Sequence, residues 1–431
     1  MKVLATAFAA CLAVSCASAR PGLAGDWSGT WTRQGQTLPV TVTFARSDAG
    51  WSGSFDSDAL QVAGIPFADV GNVGGKVHWL LKGDESTAAF DGMLRGDGID
   101  GVFVEGGATG RFELHRIAAR ASDVVSREVT FADKDVTLAG TLLLPRTPGP
   151  HAGIVFLHGS GSEGRWANRW LAEAFAHAGI AALIYDKRGV GGSGGDWKTV
   201  GFDALAADAI AAVGFLRSQV DIEPTHVGIY GHSQGGTLAP MVAVGDGHLG
   251  FVIASAAGGI APADVESYSV GNNIGLSQLP VPEQKDAKAY VEALIDVAYR
   301  GNDRASLDAL ATKFKDRPWY FDPPPPGNTY WDLSRRIAAF DPAHWWSQVH
   351  APVLLVYGAH DERVPPEASV EAIQAALGSG GNAHVTVRLY PDADHTFTIV
   401  DPARKGGWPM HVQDYAETLT AWVRAQVRTV D

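Results

Sequence analysis

Val227-Gly228-Ile229-Tyr230-Gly231-His232-Ser233-Gln234-Gly235 runs from an apolar stretch of strand character directly into a helix-like run beginning at Gln234. A serine at such a junction sits on a sharp turn, and glycines two positions to either side let the neighbouring chain pass close by. The turn lifts the hydroxyl to the carboxyl edge of a sheet, at the positive end of the next helix. This context, rather than the Gly-x-Ser-x-Gly string alone, makes Ser233 the candidate nucleophile. The string recurs at Gly191-Gly192-Ser193-Gly194-Gly195, but a loop separates that copy from the strand ending at Tyr185, and residues 196–201 intervene before any helix. Gly189, Gly191 and Gly194 also have the spacing of a dinucleotide fingerprint, which must open its helix at once. Both matches read as loop.

Outward from Ser233, short apolar runs at 153–157, 181–185, 227–230, 251–254 and 353–357 have the character of strands buried on both faces, and 385–390 reads as a further apolar strand. Helical spacing at 166–178, 203–217, 366–377 and 412–427 alternates with them. Alternation of this kind predicts an α/β fold, a mostly parallel sheet covered by helices, entered through a strand pair at 127–131 and 136–144. About ninety residues lie between 254 and 353, far more than an ordinary connection. They predict an inserted helical cap, about 258–347, with helices at 281–300 and 304–315 and a stiff break at the four prolines before Gly327. Its aromatic residues, Trp319 and Trp331 among them, could wall a substrate pocket or hold the cap together.

The chemistry expected of Ser233 needs partners. A serine hydroxyl requires an imidazole to take its proton and a carboxylate to fix the imidazole's tautomer. Asp361, just past the strand at 353–357, and His395, just past the strand at 385–390, follow in the order Ser, acid, His. Asp341, Asp392 and Asp394 are rivals for the acid, but Asp361 arrives on a neighbouring strand end from which a carboxylate can reach the ring. The loop His158-Gly159-Ser160-Gly161 follows the strand at 153–157 and suits the stabilisation of a developing oxyanion, with backbone N–H donors assigned to Ser160 and Gln234. No zinc-ligand spacing and no phosphate-binding glycine-lysine loop occurs, so the reaction is expected to need no cofactor.

Residues 25–116 read differently. Leu38, Val40, Val42 and Phe44 alternate with polar neighbours, and similar runs at 77–81, 99–104 and 111–115 are separated by Gly and Asp turn signals, predicting a small all-β sandwich or barrel. Trp27, Trp31, Trp51 and Trp79 could line a carbohydrate site, but burial is the commoner fate of tryptophan in such a unit.

Lys and Arg total 34 against 47 Asp and Glu, a net charge of −13 that disfavours nucleic acid and anionic lipid surfaces and points to a small neutral substrate. Lys2, the apolar residues 3–14 and Ala17-Ser18-Ala19 read as an export signal too short to span a bilayer. Both cysteines, Cys11 and Cys16, lie inside it, so cleavage after Ala19 leaves no thiol. A rival reading has Cys16 lipid-modified as an anchor, although Ala13 stands where Leu is usual.

Ile184-Tyr185-Asp186-Lys187-Arg188-Gly189, the loop at 158–161, the motif at 231–236 and the Asp361/His395 pair together resemble secreted bacterial α/β-hydrolases near the dienelactone-hydrolase and prolyl-oligopeptidase branches. The resemblance covers 126 to the C-terminus, and 25–116 look like the β-rich domain that some two-domain esterases carry. It implies Ser233 as nucleophile, Asp361 as acid, His395 as base and Ser160 and Gln234 as donors, with Asp186 and Arg188 as scaffold charges. The expected organisation is a signal peptide at 1–19, an all-β domain at 20–120 and an α/β-hydrolase domain at 121–431. The expected activity is hydrolysis of small-molecule carboxylic esters outside the cytoplasm. An exported peptidase and a non-catalytic binding protein are the alternatives.

Overall fold

Two sheets organise the computed structural model, which describes residues 22–83, 86–119, 124–401 and 407–428. The candidate signal at 1–19 and Cys16 lie outside the described residues. No helix among the described residues is long and apolar enough to cross a membrane.

The first sheet contains β1 (Gly25–Arg33), β2 (Gln36–Ser47), β3 (Gly50–Ser57), β4 (Val62–Pro66), β5 (Ala68–Val73), β6 (Lys76–Lys82), β7 (Thr87–Arg95), β8 (Gly98–Glu105) and β9 (Ala108–Arg116). Every pair is antiparallel, β1 pairs with both β2 and β9, and Phe67, which joins the two edge strands β4 and β5, donates its N–H to Gly53 O of β3. The meander thus curls into a barrel. Trp27, Trp31 and Trp79 are buried with Phe90, Phe103 and Phe112, Trp79 stacking on Phe90 at 4.9 Å. These indoles fill the core, as the packing reading expects. Gly110 makes room for the core, since a Cβ there would lie 2.1 Å from the Phe103 ring.

The second sheet has the order β10-β11-β13-β12-β14-β15-β16-β17. Its strands are β10 (Val124–Asp133), β11 (Val136–Pro145), β12 (His151–Leu157), β13 (Ala181–Tyr185), β14 (Ile222–His232), β15 (Val252–Ser255), β16 (Val353–Gly358) and β17 (Val385–Tyr390). From β13 onward the pairs are parallel, while β10 and β11 run antiparallel at one edge. Successive side chains point to opposite faces, so Ile154 and Phe156 join one core cluster while Val155 and Leu157 join the other. Such strands must be apolar throughout, which is why they were readable as runs.

Helices α1 (Arg169–His177), α2 (Phe202–Arg217) and α3 (Gln234–Asp246) cover this sheet. Between β15 and β16 come α4 (Pro262–Leu276), α5 (Val281–Ala298), α6 (Ala305–Phe314), α7 (Thr329–Ala338) and α8 (Pro342–Trp346), followed by α9 (Pro366–Ser379) and α10 (Tyr415–Arg428). The helix expected from 412 starts at Tyr415 because Val412 donates its N–H to Phe397 O instead. The insertion has its own core: Trp331, Tyr290, Leu307 and Phe314 are buried together, with Trp319 packed against them. The Trp331 indole donates to Pro325 O at 2.9 Å and the Trp319 indole to Glu283. Both tryptophans serve to hold the insertion together.

Candidate active site

Strand β14 ends at His232 and α3 begins at Gln234, leaving Ser233 as the single connecting residue, at φ 54° and ψ −117°. A positive φ in a non-glycine residue is strained and persists only when its surroundings enforce it. Close packing does so here: a Cβ on Gly231 would lie 2.2 Å from the Gly235 backbone, and one on Gly235 would lie 2.8 Å from His158 O. The Ser233 N–H donates to Ser255 O at 2.9 Å, which fixes the turn and leaves the hydroxyl to aim elsewhere. Its Oγ lies 3.0 Å from His395 Nε2.

His395 stands on the loop after β17. Its Nδ1 is 2.9 Å from Asp361 Oδ2 and 3.0 Å from Oδ1, and both side chains are buried. Asp361 Oδ1 also accepts from the N–H groups of Arg363 and Val364, each at 2.8 Å, so the buried carboxylate is held from three directions. The acid and histidine loops approach closely because residue 358 has no side chain; a Cβ there would lie 2.3 Å from Asp394 O. Two of the rival acids are occupied elsewhere. Asp394 Oδ1 accepts from Thr396 N–H and Thr398 N–H to close its own turn, and Asp341 caps α8 through His344 N–H. His232, whose ring centre lies 5.0 Å from that of His395, is kept neutral: burial above all, then the charges of His395 and Arg363, lower its pKa to about 3.

The donor loop follows β12. His158 turns inward, its Nε2–H donating to Tyr185 O, and burial lowers its pKa to about 4. The Gly159 N–H donates to Glu163 Oε2 at 2.7 Å, while Ser160, the next residue, is exposed. Gln234 opens α3, where the first backbone N–H groups have no intrahelical partner. Lys187, which stands in the 184–189 motif without an assigned role, joins the two assigned donor segments. Its Nζ donates to Gly159 O at 2.8 Å, Gly161 O at 3.0 Å and Gln234 Oε1 at 3.0 Å. Burial lowers its pKa to about 8 against the opposing pull of Glu163. A lysine just past a fully buried strand was the signal that could have marked it.

The neighbouring charges are tied into the scaffold. Arg165 clamps Asp186 through Nη2 at 2.8 Å and Nε at 3.2 Å, and Arg188 clamps Asp208 at 2.6 and 2.7 Å. Burial favours the neutral form of Asp186, but the bonds from Arg165 and from Gly192 N–H prevail and lower its pKa. The Ser193 hydroxyl donates to Asp186 O at 2.7 Å and accepts from Ala139 N–H at 3.0 Å, which pins its loop. The insertion reaches the acid loop through α4, where the Tyr268 hydroxyl donates to Asp361 O at 2.8 Å and Asn272 Nδ2 to Glu362 O at 3.1 Å. Among the described residues no group of three or more His, Cys, Asp or Glu side chains is placed to hold a metal ion.

The chain is 26% identical over 333 residues to the esterase EstD of Thermotoga maritima, covering 74% of this chain and 71% of that protein. It is 32% identical over 118 residues to an uncharacterized protein of Mycobacterium tuberculosis, covering 27% of this chain and 41% of that one. The chain thus spans about two-fifths of the first curated relatives it matches. A solved esterase from Pyrococcus furiosus superposes with a TM-score of 0.45 at 17% identity, covering 73% of this chain and 96% of that one. The family Hydrolase_4, described as serine aminopeptidase, S33, matches residues 148–402. That match takes in more than half of the sequence and every residue of the Ser233, Asp361 and His395 chain, and the protein belongs to this family of hydrolases.

Proposed function

We propose that the protein is a carboxylesterase working through an acyl-enzyme on Ser233. The observation that carries this reading is the continuous chain from Ser233 Oγ to His395 Nε2 at 3.0 Å and from His395 Nδ1 to Asp361 at 2.9 Å. Ser233 Oγ attacks the ester carbonyl while His395 takes its proton and Asp361 holds the Nδ1–H tautomer and steadies the imidazolium. The backbone N–H groups of Ser160 and Gln234 receive the negative oxygen. His395 then protonates the leaving alcohol, and in the second half-reaction it activates water to release the acid.

The family description favours one other reading, a serine aminopeptidase. Such an enzyme needs a carboxylate to capture the substrate amine. On the donor and acid loops Glu163 accepts from Gly159 N–H at 2.7 Å and Glu362 lies 3.5 Å from Arg363, so neither loop offers an uncommitted carboxylate for that purpose. Export completes the proposal, resting on the segment 1–19, and amino-terminal sequencing of secreted protein tests it. Fluorophosphonate labelling tests the nucleophile: Ser233→Ala is expected to abolish it and Ser193→Ala to preserve it. Faster turnover of aminoacyl anilides than of p-nitrophenyl esters would transfer the assignment to the peptidase.

A further inference from the structure

An open pocket of about 270 Å³ lies where the barrel meets the α/β part of the chain. From the barrel come Leu60, Gln61 and Val62, the turn leading into β4. From the other side come Gly159, His232 and Thr396. Each of these three is the neighbour in sequence of a residue in the proposed reaction, Gly159 preceding Ser160, His232 preceding Ser233 and Thr396 following His395, although those reacting residues are not themselves part of the lining. We propose that this cavity receives the apolar chain of the ester, and that Leu60 and Val62 of the barrel set the chain length accepted. The proposal rests on the esterase reading and adds to it a substrate class and a specificity wall outside the hydrolase sheet.

The turn is built as a fixed wall. Gln61 adopts φ 54°, its N–H donates to Asp58 O at 3.1 Å, and its side chain donates to Val412 O at 2.7 Å. The Trp170 indole donates to Asp58 Oδ1 at 3.3 Å, fastening the same turn to α1. Gly64, at φ 65°, leaves the space in which Arg169 lies; a Cβ there would be 2.9 Å from Arg169 Cδ. Contacts to both α1 and the segment after His395 hold Leu60 and Val62 in place.

The lining determines what fits. Trp170, Leu171 and Phe397 add apolar surface opposite Val62 and Leu60. Tyr230 and Tyr415 also line the cavity, but their hydroxyls bond each other at 3.0 Å, and that of Tyr415 also bonds Ser255 Oγ at 2.7 Å, so chiefly ring surface faces inward. Glu163 and neutral His232 are among the polar residues of the lining, with Gln61, Asn168, Thr396 and His411 distributed around the rest of it. A mainly apolar pocket with a minority of polar side chains suits an uncharged aliphatic or aromatic chain, and the Glu163 carboxylate disfavours an anionic one. The chain belongs either to the acyl group or to the alcohol, with the same demand on the wall.

The test compares wild type with Val62→Trp, Leu60→Trp and Val62→Ala on two ester series: p-nitrophenyl esters from acetate to octanoate, and acetate esters from ethyl to octyl. Filling the cavity is expected to lower kcat/KM on the eight-carbon substrate of one series by about tenfold or more, while acetyl or ethyl substrates change less than about threefold. The series that responds identifies the acyl or the alcohol chain. Val62→Ala, which cannot overfill the space, is expected to shift the optimum toward longer chains. Uniform losses across both series in all three variants, with normal melting and normal fluorophosphonate labelling, overturn the proposal. A wild type that takes neither label nor ester overturns the esterase reading instead, so the two failures are distinct.

Discussion

Asp361, bonded to His395, and Lys187, bonded to the Gly159–Gly161 loop and Gln234, each make a separate kinetic prediction under the proposed reaction. Removing the charge of Asp361 leaves the hydroxyl and donor loops in place but favours the wrong histidine tautomer. Asp361→Asn is therefore expected to lower kcat by roughly four powers of ten, or about 5–6 kcal/mol of transition-state stabilisation, with little change in KM. Asp341→Asn, Asp392→Asn and Asp394→Asn should stay within about tenfold; collapse in one of these with near-normal turnover of Asp361→Asn would move the acid to that residue. Lys187 touches no reacting atom and is a positioning residue. Lys187→Met removes the donor shared by Gly159 O, Gly161 O and Gln234 Oε1, and is expected to lower kcat by about ten- to hundredfold with KM nearly unchanged, partly restored in Lys187→Arg. Steady-state kinetics on one small ester decide it, since a purely structural role would lower melting without splitting kcat from KM.

At the scale of elements, the insertion answers a question left open by its sequence. Its aromatic density is compatible with a substrate wall, but Trp331 is buried against Tyr290, Leu307 and Phe314, and Arg304 lies 5.1 Å over its ring. Trp331→Ala should cost about 3–5 kcal/mol of local stability and reduce all ester rates by a common factor, measured by denaturation and by the ester series together. The central strands of the second sheet, β12 to β16, were legible because burial on both faces leaves apolar runs, while the exposed edge strand β17 was legible only by its alternating β-branched and apolar residues. Ser233, Asp361 and His395 were legible because each follows one of these strands. By contrast, α4 carries Gly271 and Gly275 and buries only Ala263, so it lacked the apolar stripe that marks α5. Lys187 was left without a role for a related reason, because its partners are a side-chain amide and two carbonyls up to 47 residues away. The cavity wall was equally hidden, since its two sides come from sequence-distant turns that meet only in the folded chain.

For the molecule as a whole, the buried histidines set a pH dependence of stability. His158 and His232 have folded-state pKa values lowered to about 4 and about 3, so the unfolded chain binds more protons than the native one between those values and the ordinary 6.5. Stability from these groups is fully present above pH 6.5 and lost as pH falls through that window, by up to about 1.4 kcal/mol per pH unit for each. The urea midpoint is expected to drop between pH 7 and pH 5, and to drop less in His158→Asn; an equal drop in the variant would remove His158 as a source.

The barrel is also joined to the segment beyond His395. Arg33 donates to Gly407 O at 3.2 Å and lies over the Trp408 ring at 4.4 Å, while the Trp408 indole donates to Gln36 O. Met410 O and Phe397 O each accept a backbone N–H, from Ile399 and Val412 respectively, which zips that segment to the turn carrying the imidazole. Contacts separated by more than 370 residues must wait for nearly the entire chain to emerge from the ribosome. The barrel strands are complete by Arg116, yet Trp31 and Phe103 receive their covering indole only when Trp408 arrives. Synthesis order therefore makes the barrel a template that the last-made part of the chain must find, and the histidine turn is locked by one of the final events of assembly.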